Sequence, residues 1–105
     1  MNMERIRELC GKRAFRWTSH ILTRLLQRGI GMDDIESCLL SGEIIEQYLD
    51  DYPSPSCLVL GATVNKKALH VVCGIGDGEI WLITAYYPNP DEWADGFRVR
   101  RESDI

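Results

Sequence analysis

The residues of this chain best suited to chemistry on a phosphate are its two histidines and a set of nearby arginines. His20, Arg24 and Arg28 are spaced four residues apart, so they form one stripe if this segment is a helix. Histidine acts as a general acid or base because its unperturbed pKa is about 6.5, and arginine binds phosphate through its planar fork. The stripe therefore indicates acid–base work on a phosphate, although a solvated helix face is the simpler alternative for the arginines.

A second group of candidates lies in the second half of the chain. His70 alternates with Leu69 and Val71, so we expect it on the opposite face of a strand from those two residues. A lone histidine in a strand is more often a core residue than a catalyst. In the next predicted strand, regular alternation gives two sets, one of Ile80, Leu82, Thr84 and Tyr86 and the other of Trp81, Ile83, Ala85 and Tyr87. The sequence leaves open which set lies beside His70.

Together these residues match the requirements of RNA cleavage without a metal. That reaction needs a base for the 2′-hydroxyl, an acid for the leaving oxygen and cations for the phosphorane charge. The predicted catalytic residues are His20, Arg24, Arg28, His70, Thr84 and Tyr86. The predicted substrate-binding residues are Arg16, Trp81 and Tyr87, of which the aromatic ones stack on bases. Simple packing is the alternative for Trp81 and for Trp93. We predict no metal and no cofactor, because no H-x-x-x-H, H-x-H or D-x-D spacing occurs.

Helices precede strands in the periodicity of the chain. Helical spacing of apolar residues predicts helices over 3–10, from a cap at Thr18 or Ser19 to Gly29, and over 32–40. The second of these helices would direct Ile21, Leu22, Leu25 and Leu26 inward. Strands are predicted over 43–49, 57–64, 67–75 and 79–86, with tight turns at 65–66 and 76–78. This order predicts an α+β domain with N-terminal helices on one face of a four-stranded antiparallel sheet.

Length and composition limit the class of protein. The 105 residues, 45% of them hydrophobic, fit one domain with an ordinary core. No apolar run approaches the ~20 residues of a membrane span, and the charged N-terminus does not resemble a signal peptide, so we expect a cytoplasmic protein. Four widely spaced cysteines predict free, mostly buried thiols.

The net charge of −4 conceals an uneven distribution. Residues 1–31 carry seven Lys or Arg against two Glu, a balance of +5, whereas residues 32–54 carry seven acids and no base, a balance of −7. A basic segment suits approach to a phosphate chain, but it also suits a partner protein or no partner at all.

The chain resembles domain-of-unknown-function family 4258. The resemblance is carried, in order, by Ser19-His20, Arg24, Arg28-Gly29-Ile30, Gly42-Glu43-Ile44-Ile45-Glu46, Leu69-His70-Val71-Val72, Ile83-Thr84-Ala85-Tyr86 and Pro88. It covers residues 15–90 within a predicted domain of 1–105. Such proteins resemble small bacterial toxins with the RelE- and barnase-like ribonuclease fold, commonly encoded beside an antitoxin with a C-x-x-C zinc finger.

By this resemblance, His20, Arg24 and Arg28 lie on the helix beside the active face of the sheet, and His70, Thr84 and Tyr86 lie opposite. The pI of 5.1 departs from the strongly basic toxins of that fold. The leading hypothesis is a metal-independent endoribonuclease toxin, with RNA as substrate and an antitoxin as partner. The alternative is a non-catalytic interaction domain that uses complementary basic and acidic faces. A metal-dependent hydrolase is disfavoured, and oligomeric state is left open.

Overall fold

A computed structural model describes residues 1–52 and 54–101, so Pro53 and 102–105 of the predicted domain lie outside the described part. The chain is α+β, as predicted. Its helices are α1 (Met3–Gly11), α2 (Ser19–Arg28) and α3 (Met32–Ser41). Its strands are β1 (Phe15–Arg16), β2 (Glu43–Tyr48), β3 (Ser56–Ala62), β4 (Ala68–Gly76), β5 (Glu79–Tyr86), β6 (Trp93–Ala94) and β7 (Val99–Arg100).

The main sheet has five strands rather than the four expected. Its order is β1-β5-β4-β3-β2, and β2 to β5 are antiparallel neighbours, as predicted. β1 joins the edge in parallel, with Phe15 opposite Ile80 and Arg16 opposite Trp81. The Ile80 amide also donates to the Ala14 carbonyl at 2.7 Å. The prediction of a purely antiparallel sheet was therefore wrong, because a two-residue strand is too short to show a period.

The helix ends follow from local chemistry. The Thr18 hydroxyl accepts from the Ile21 amide at 3.1 Å at the start of α2, and Gly29 ends the helix with φ of 67°. Both features confirm the predicted boundaries. The buried face of α2 is narrower than predicted, however. Ile21 and Leu25 are buried, whereas Leu22 is 41% exposed and Leu26 is 83% exposed.

All three helices contribute to one apolar core on a single face of the sheet. Their inward residues include Ile6, Leu9, Ile21, Leu25, Ile35, Cys38 and Leu39, and the strands add Val59, Leu69, Val71, Ile80 and Ala85. α3 lies very close to β3 because Gly61 has no side chain: a Cβ there would overlap the backbone of Cys38. We call this side the helix face and the opposite side of the sheet the tail face.

A β-bulge decides which residues of β5 lie on each face. Val72 is opposite Thr84, but its neighbour Cys73 is opposite Leu82, so Ile83 is the extra residue. Regular alternation had placed Leu82 with Thr84, and that prediction was wrong. The bulge leaves Ile80, Leu82 and Ala85 on the helix face and moves Thr84 and Tyr86 to the tail face, where His70 lies.

The C-terminal part of the described chain folds back over the tail face. β6 and β7 pair as a small antiparallel hairpin, with Trp93 opposite Arg100 and Ala94 opposite Val99. We call residues 93–100 the tail hairpin. Leu58 and Leu60 of β3, together with Trp93, are buried on this side. The sequence predicted only a short tail after Pro90 and gave no position for it.

All four cysteines are free and buried, which confirms that part of the sequence analysis. Burial raises the pKa of Cys10 to about 11 and that of Cys38 to about 12, so these thiols stay protonated at neutral pH. In the part of the chain that the structure describes, no helix is long and apolar enough to span a membrane.

Two neighbouring leucines of α3 test this packing. Leu39 is fully buried and Leu40 is 50% exposed. We expect Leu39→Ala to lower the free energy of unfolding by about 2–5 kcal/mol, because it leaves a cavity between α3 and the sheet. Leu40→Ala, the matched control, should change it by less than about 1 kcal/mol. Urea denaturation measures both, and equal losses would contradict the assigned orientation of α3.

Candidate functional site

His70 is the central polar residue of the tail face, and it is 0% exposed. Its Nε2 lies 3.0 Å from the Phe97 carbonyl oxygen, and its Nδ1 lies 3.3 Å from the Tyr86 hydroxyl. A carbonyl only accepts hydrogen bonds, so Nε2 must carry the proton. In the neutral ring Nδ1 then accepts from Tyr86. Both nitrogens are thereby satisfied without water.

Two aromatic rings enclose this imidazole. The Trp93 ring meets it edge-on with centroids 4.5 Å apart, and the Tyr86 ring does so at 5.3 Å. Trp93 is itself almost completely buried, which confirms that this tryptophan packs rather than stacks on a free base. The enclosure makes the surroundings of His70 poorly solvated, so its charge state depends on its fixed neighbours.

The turn of the tail hairpin is strained where it meets His70. Asp95, Gly96 and Phe97 have φ of 52°, 66° and 70°, three successive residues in the left-handed region. This conformation is cheap for glycine, tolerable for aspartate and uncommon for a bulky side chain such as Phe97. It places the Phe97 carbonyl on His70 Nε2. Strain of this kind persists only where surrounding contacts hold it, and here the contacts are those of the enclosed imidazole.

Two ion pairs attach the tail hairpin to β2. Arg100 donates to both oxygens of Glu46, Nε to Oε2 at 2.9 Å and Nη2 to Oε1 at 3.2 Å. Arg98 Nε donates to Glu43 Oε1 at 2.6 Å. The Tyr48 hydroxyl donates to Glu46 at 2.6 Å, and the Arg100 guanidinium lies 4.7 Å from the centre of the Trp93 ring. A network of polar and aromatic contacts therefore runs from β2 through Arg100 and the Trp93 ring to His70.

The environment sets the charge states of this network. Burial lowers the pKa of His70, partly offset by the Phe97 carbonyl and the Glu46 charge. Burial raises the pKa of Glu46, but hydrogen bonds from Arg100 and Tyr48 outweigh it, and the net change is downward. Burial and the Glu46 carboxylate raise the pKa of Tyr48 to about 12, and burial raises that of Tyr86. At neutral pH the site therefore holds a neutral imidazole, a carboxylate and two protonated phenols.

A groove of about 520 Å³ opens beside the network, between the ends of the strands and the tail hairpin. Its wall includes Leu60, the cross-strand partner of His70, and it also carries the side chains of Glu43, Lys66 and Arg98. Two of these four side chains are cationic, and Glu43 already pairs with Arg98. The groove thus offers a local positive character beside the enclosed histidine in an acidic protein.

The predicted strand residues are partly brought together. Tyr86 contacts His70, and Thr84 lies on the same face, two cross-strand pairs further along. Trp81 is not part of this network. Its ring lies under the Arg16 guanidinium at 4.7 Å, and Arg16 also pairs with Glu79 at 2.9 Å. Two of the three predicted substrate-binding residues therefore contact each other at the edge of the sheet, away from His70.

The predicted helical stripe does not converge on His70. Arg28 alone reaches the sheet, where its Nη1 donates to Thr84 Oγ1 at 3.2 Å and to the Ala85 carbonyl at 2.7 Å. His20 and Arg24 are exposed on α2, on the helix side of the sheet. Tyr87 also lies beside α2, with its hydroxyl 3.4 Å from the Gly29 carbonyl. His20 and Arg24 thus lie on a different surface from His70, and Arg28 reaches the edge of the sheet between the two.

The sequence analysis missed Glu46, Tyr48, Arg98 and Arg100 as members of the site. The signal that was present is the matching of two acids, Glu43 and Glu46, with two arginines, Arg98 and Arg100. This signal has no fixed sequence separation, since each pair joins β2 to a segment about fifty residues later. Without the fold, other acids of residues 32–54 were equally eligible partners.

A family model described as "Domain of unknown function (DUF4258)" matches residues 17–87, more than half of the chain. No curated protein and no solved structure matches this chain. The matched segment contains α2, α3 and the strands from β2 to β5, including His70 and Tyr86. It ends before the tail hairpin, so Arg98 and Arg100 lie outside it.

Because the pKa of His70 is lowered, we expect the free energy of unfolding to depend on pH. Since folding disfavours the protonated ring, the unfolded chain binds the proton more readily below pH about 6.5, and the free energy of unfolding falls between pH 7 and pH 5. His70→Gln should flatten this fall, and the matched His20→Gln should leave it unchanged. Urea titrations across this range measure the slopes. An unchanged slope in His70→Gln would contradict the enclosed, neutral imidazole.

Proposed function

The chain belongs to the DUF4258 family, and we propose that it is a metal-independent endoribonuclease whose acid–base centre is the network on the tail face. The observation that supports this most is the contact of His70 with Tyr86, beside a carboxylate and an arginine on the same face. A base, proton donors and a cation are the components that transesterification of RNA requires. At neutral pH the network holds a neutral imidazole that can accept a proton, phenols that can donate one, and charged arginines that can bind the phosphate.

The proposed reaction assigns one step to each group. Tyr86 accepts the proton of the 2′-hydroxyl as it passes its own proton to His70 Nδ1, the one basic nitrogen of the neutral ring. The 2′-oxygen then attacks the phosphorus. The departing 5′-oxygen takes its proton from water. Arg100, released from Glu46, binds the phosphate oxygens through its fork. The products are a 2′,3′-cyclic phosphate and a free 5′-hydroxyl.

This mechanism requires the tail hairpin to move, because His70 is fully enclosed. The hairpin is attached through two exposed ion pairs, Arg98–Glu43 and Arg100–Glu46, and such pairs contribute only about 0–1 kcal/mol each. A phosphate chain in the adjacent groove competes directly for Arg98, which lines it. The strain at Asp95 and Phe97 is released when the turn leaves His70. Substrate binding and opening of the site are therefore coupled in this proposal.

The resemblance to small bacterial toxins also suggests a role for the protein in the cell. Helices that precede an antiparallel sheet, with a polar network on the opposite face, suit the RelE- and barnase-like ribonuclease fold. We propose accordingly that the protein is the toxin of a type II toxin–antitoxin pair. It would act on RNA in the bacterial cytoplasm, and an antitoxin of the zinc-finger kind would restrain it.

A non-catalytic interaction domain is the second candidate, and the separation of the two surfaces favours it. His20 and Arg24 face solvent on one side of α2 and Leu22 and Leu26 are exposed on another, while His70 is closed off. A protein that only docks needs the first surface and uses His70 to hold the tail hairpin in place. Activity of the isolated protein distinguishes the two candidates.

The purified protein should cleave single-stranded RNA in the presence of EDTA and leave 2′,3′-cyclic phosphate ends. We expect His70→Gln and Tyr86→Phe each to lower the rate by about 10²- to 10⁴-fold, because each removes part of the proton path. His20→Gln, the matched control, should retain the wild-type rate. Gel analysis and end-group chemistry measure the outcome. Intact RNA with the wild type, or equal losses in all three variants, would contradict the proposal.

A further inference from the structure

The outer edge of β5 is open beyond β1. β1 covers Ile80 and Trp81, and along the described chain no strand pairs with the outer edge from Leu82 to Tyr86. The Ala85 carbonyl points outward, since Arg28 donates to it at 2.7 Å. In an antiparallel ladder the amide of the same residue points the same way. The edge therefore presents a backbone donor and an acceptor in the geometry that an added strand uses.

Apolar side chains accompany this edge. Ile83 and Tyr87 of the β5 segment are both partly exposed. The hydrogen bonds from Arg28 to β5 and from Tyr87 to Gly29 hold the C-terminal half of α2 against this part of the strand. We call the surface formed by α2 and the outer edge of β5 the α2–β5 flank. It combines an unpaired edge with apolar contact area, which a monomeric protein usually covers.

The charge of the α2–β5 flank indicates which kind of protein segment would bind there. Among the described residues, His20 and Arg24 have no carboxylate partner, and Arg28 binds neutral oxygens only. In α2 there is no acid at all. An occupant that brings carboxylates to this positive surface gains attraction that the chain itself leaves unused.

The acids of this chain are poorly placed to supply those carboxylates from a second copy. Glu36, Glu43 and Glu46 are paired with arginines of their own chain, and Asp34 accepts from the amides of Gly31 and Val64. Asp51 accepts from the Ser56 hydroxyl. Residues 32–54 are thus largely engaged within their own fold, which favours another protein as the source of the complementary charge.

We propose that the α2–β5 flank binds an extended acidic segment of a different protein, which adds as a strand to the outer edge of β5. Its apolar residues pack on Ile83 and Tyr87, and its carboxylates face His20 and Arg24. An amide of the segment replaces Arg28 on the Ala85 carbonyl, and the freed guanidinium pairs with a further carboxylate. This surface is separate from the network around His70, so the proposal does not depend on RNA cleavage.

The test uses a synthetic peptide of alternating valine and glutamate, with the corresponding valine–lysine peptide as control, titrated into the ¹⁵N-labelled protein. We expect saturable shifts of the Ile83 and Ala85 amides with the acidic peptide only. Arg24→Glu should weaken binding by roughly tenfold or more, because attraction becomes repulsion. Lys12→Glu makes the same change of charge just after α1 and should bind as the wild type does.

A second pair of variants tests the apolar contact. Ile83→Ser should weaken binding of the acidic peptide by about three- to thirtyfold, and Leu49→Ser, which changes an exposed apolar residue after β2, should not. Both positions are exposed, so the variants keep the fold. No saturable binding at about 1 mM peptide, shifts confined to other surfaces, or equal binding of the lysine peptide would each overturn the proposal. Self-association through the flank would appear as shifts that grow with protein concentration alone, and it would overturn the choice of a different protein.

Discussion

An imidazole that is removed from water must hydrogen-bond through both of its nitrogens, and this requirement at His70 determines how the end of the chain lies on the sheet. Tyr86 satisfies one nitrogen from within the sheet, and the Phe97 carbonyl satisfies the other. Leaving a buried polar group unpaired costs about 1–3 kcal/mol. Left-handed backbone at Asp95 and Phe97 costs about 2–4 kcal/mol together. Burial of the Trp93 side chain, worth about 4–6 kcal/mol, offsets that strain.

The bulge at Ile83 connects this requirement to the rest of the fold. It lets β5 contribute Ile80 and Leu82 to the core under the helices and still present Tyr86 to His70 on the other side. A regular strand would place Leu82 and Tyr86 on one face and would lose either a core residue or the partner of the histidine. The helix face thus provides most of the apolar burial, and the tail face carries the polar network.

Local chemistry was sufficient to predict most of the elements. Thr18 and Gly29 marked the ends of α2, and the glycine-containing turn at 76–78 marked the β4–β5 hairpin. Features that depend on distant contacts were not predictable in this way. The two-residue β1, the bulge and the tail hairpin show no periodicity of apolar residues in the sequence. The pairing of Glu46 with Arg100 can be recognised only once the fold is known. The sequence identified His70 and Tyr86 as candidates, but it joined them to a helical stripe that lies on another surface.

The central claim is that RNA is recognised at the tail face and not at the stripe of α2. The most direct measurement is an NMR titration of the labelled protein with a short RNA whose 2′-hydroxyls are replaced by hydrogen, so that it binds without being cleaved. We expect the largest shifts at the His70 imidazole, the Trp93 indole and the Arg98 side chain, with loss of the hydrogen bond from His70 Nε2 to Phe97. Shifts confined to His20 and Arg24, with the His70 signals unchanged at saturation, would contradict it.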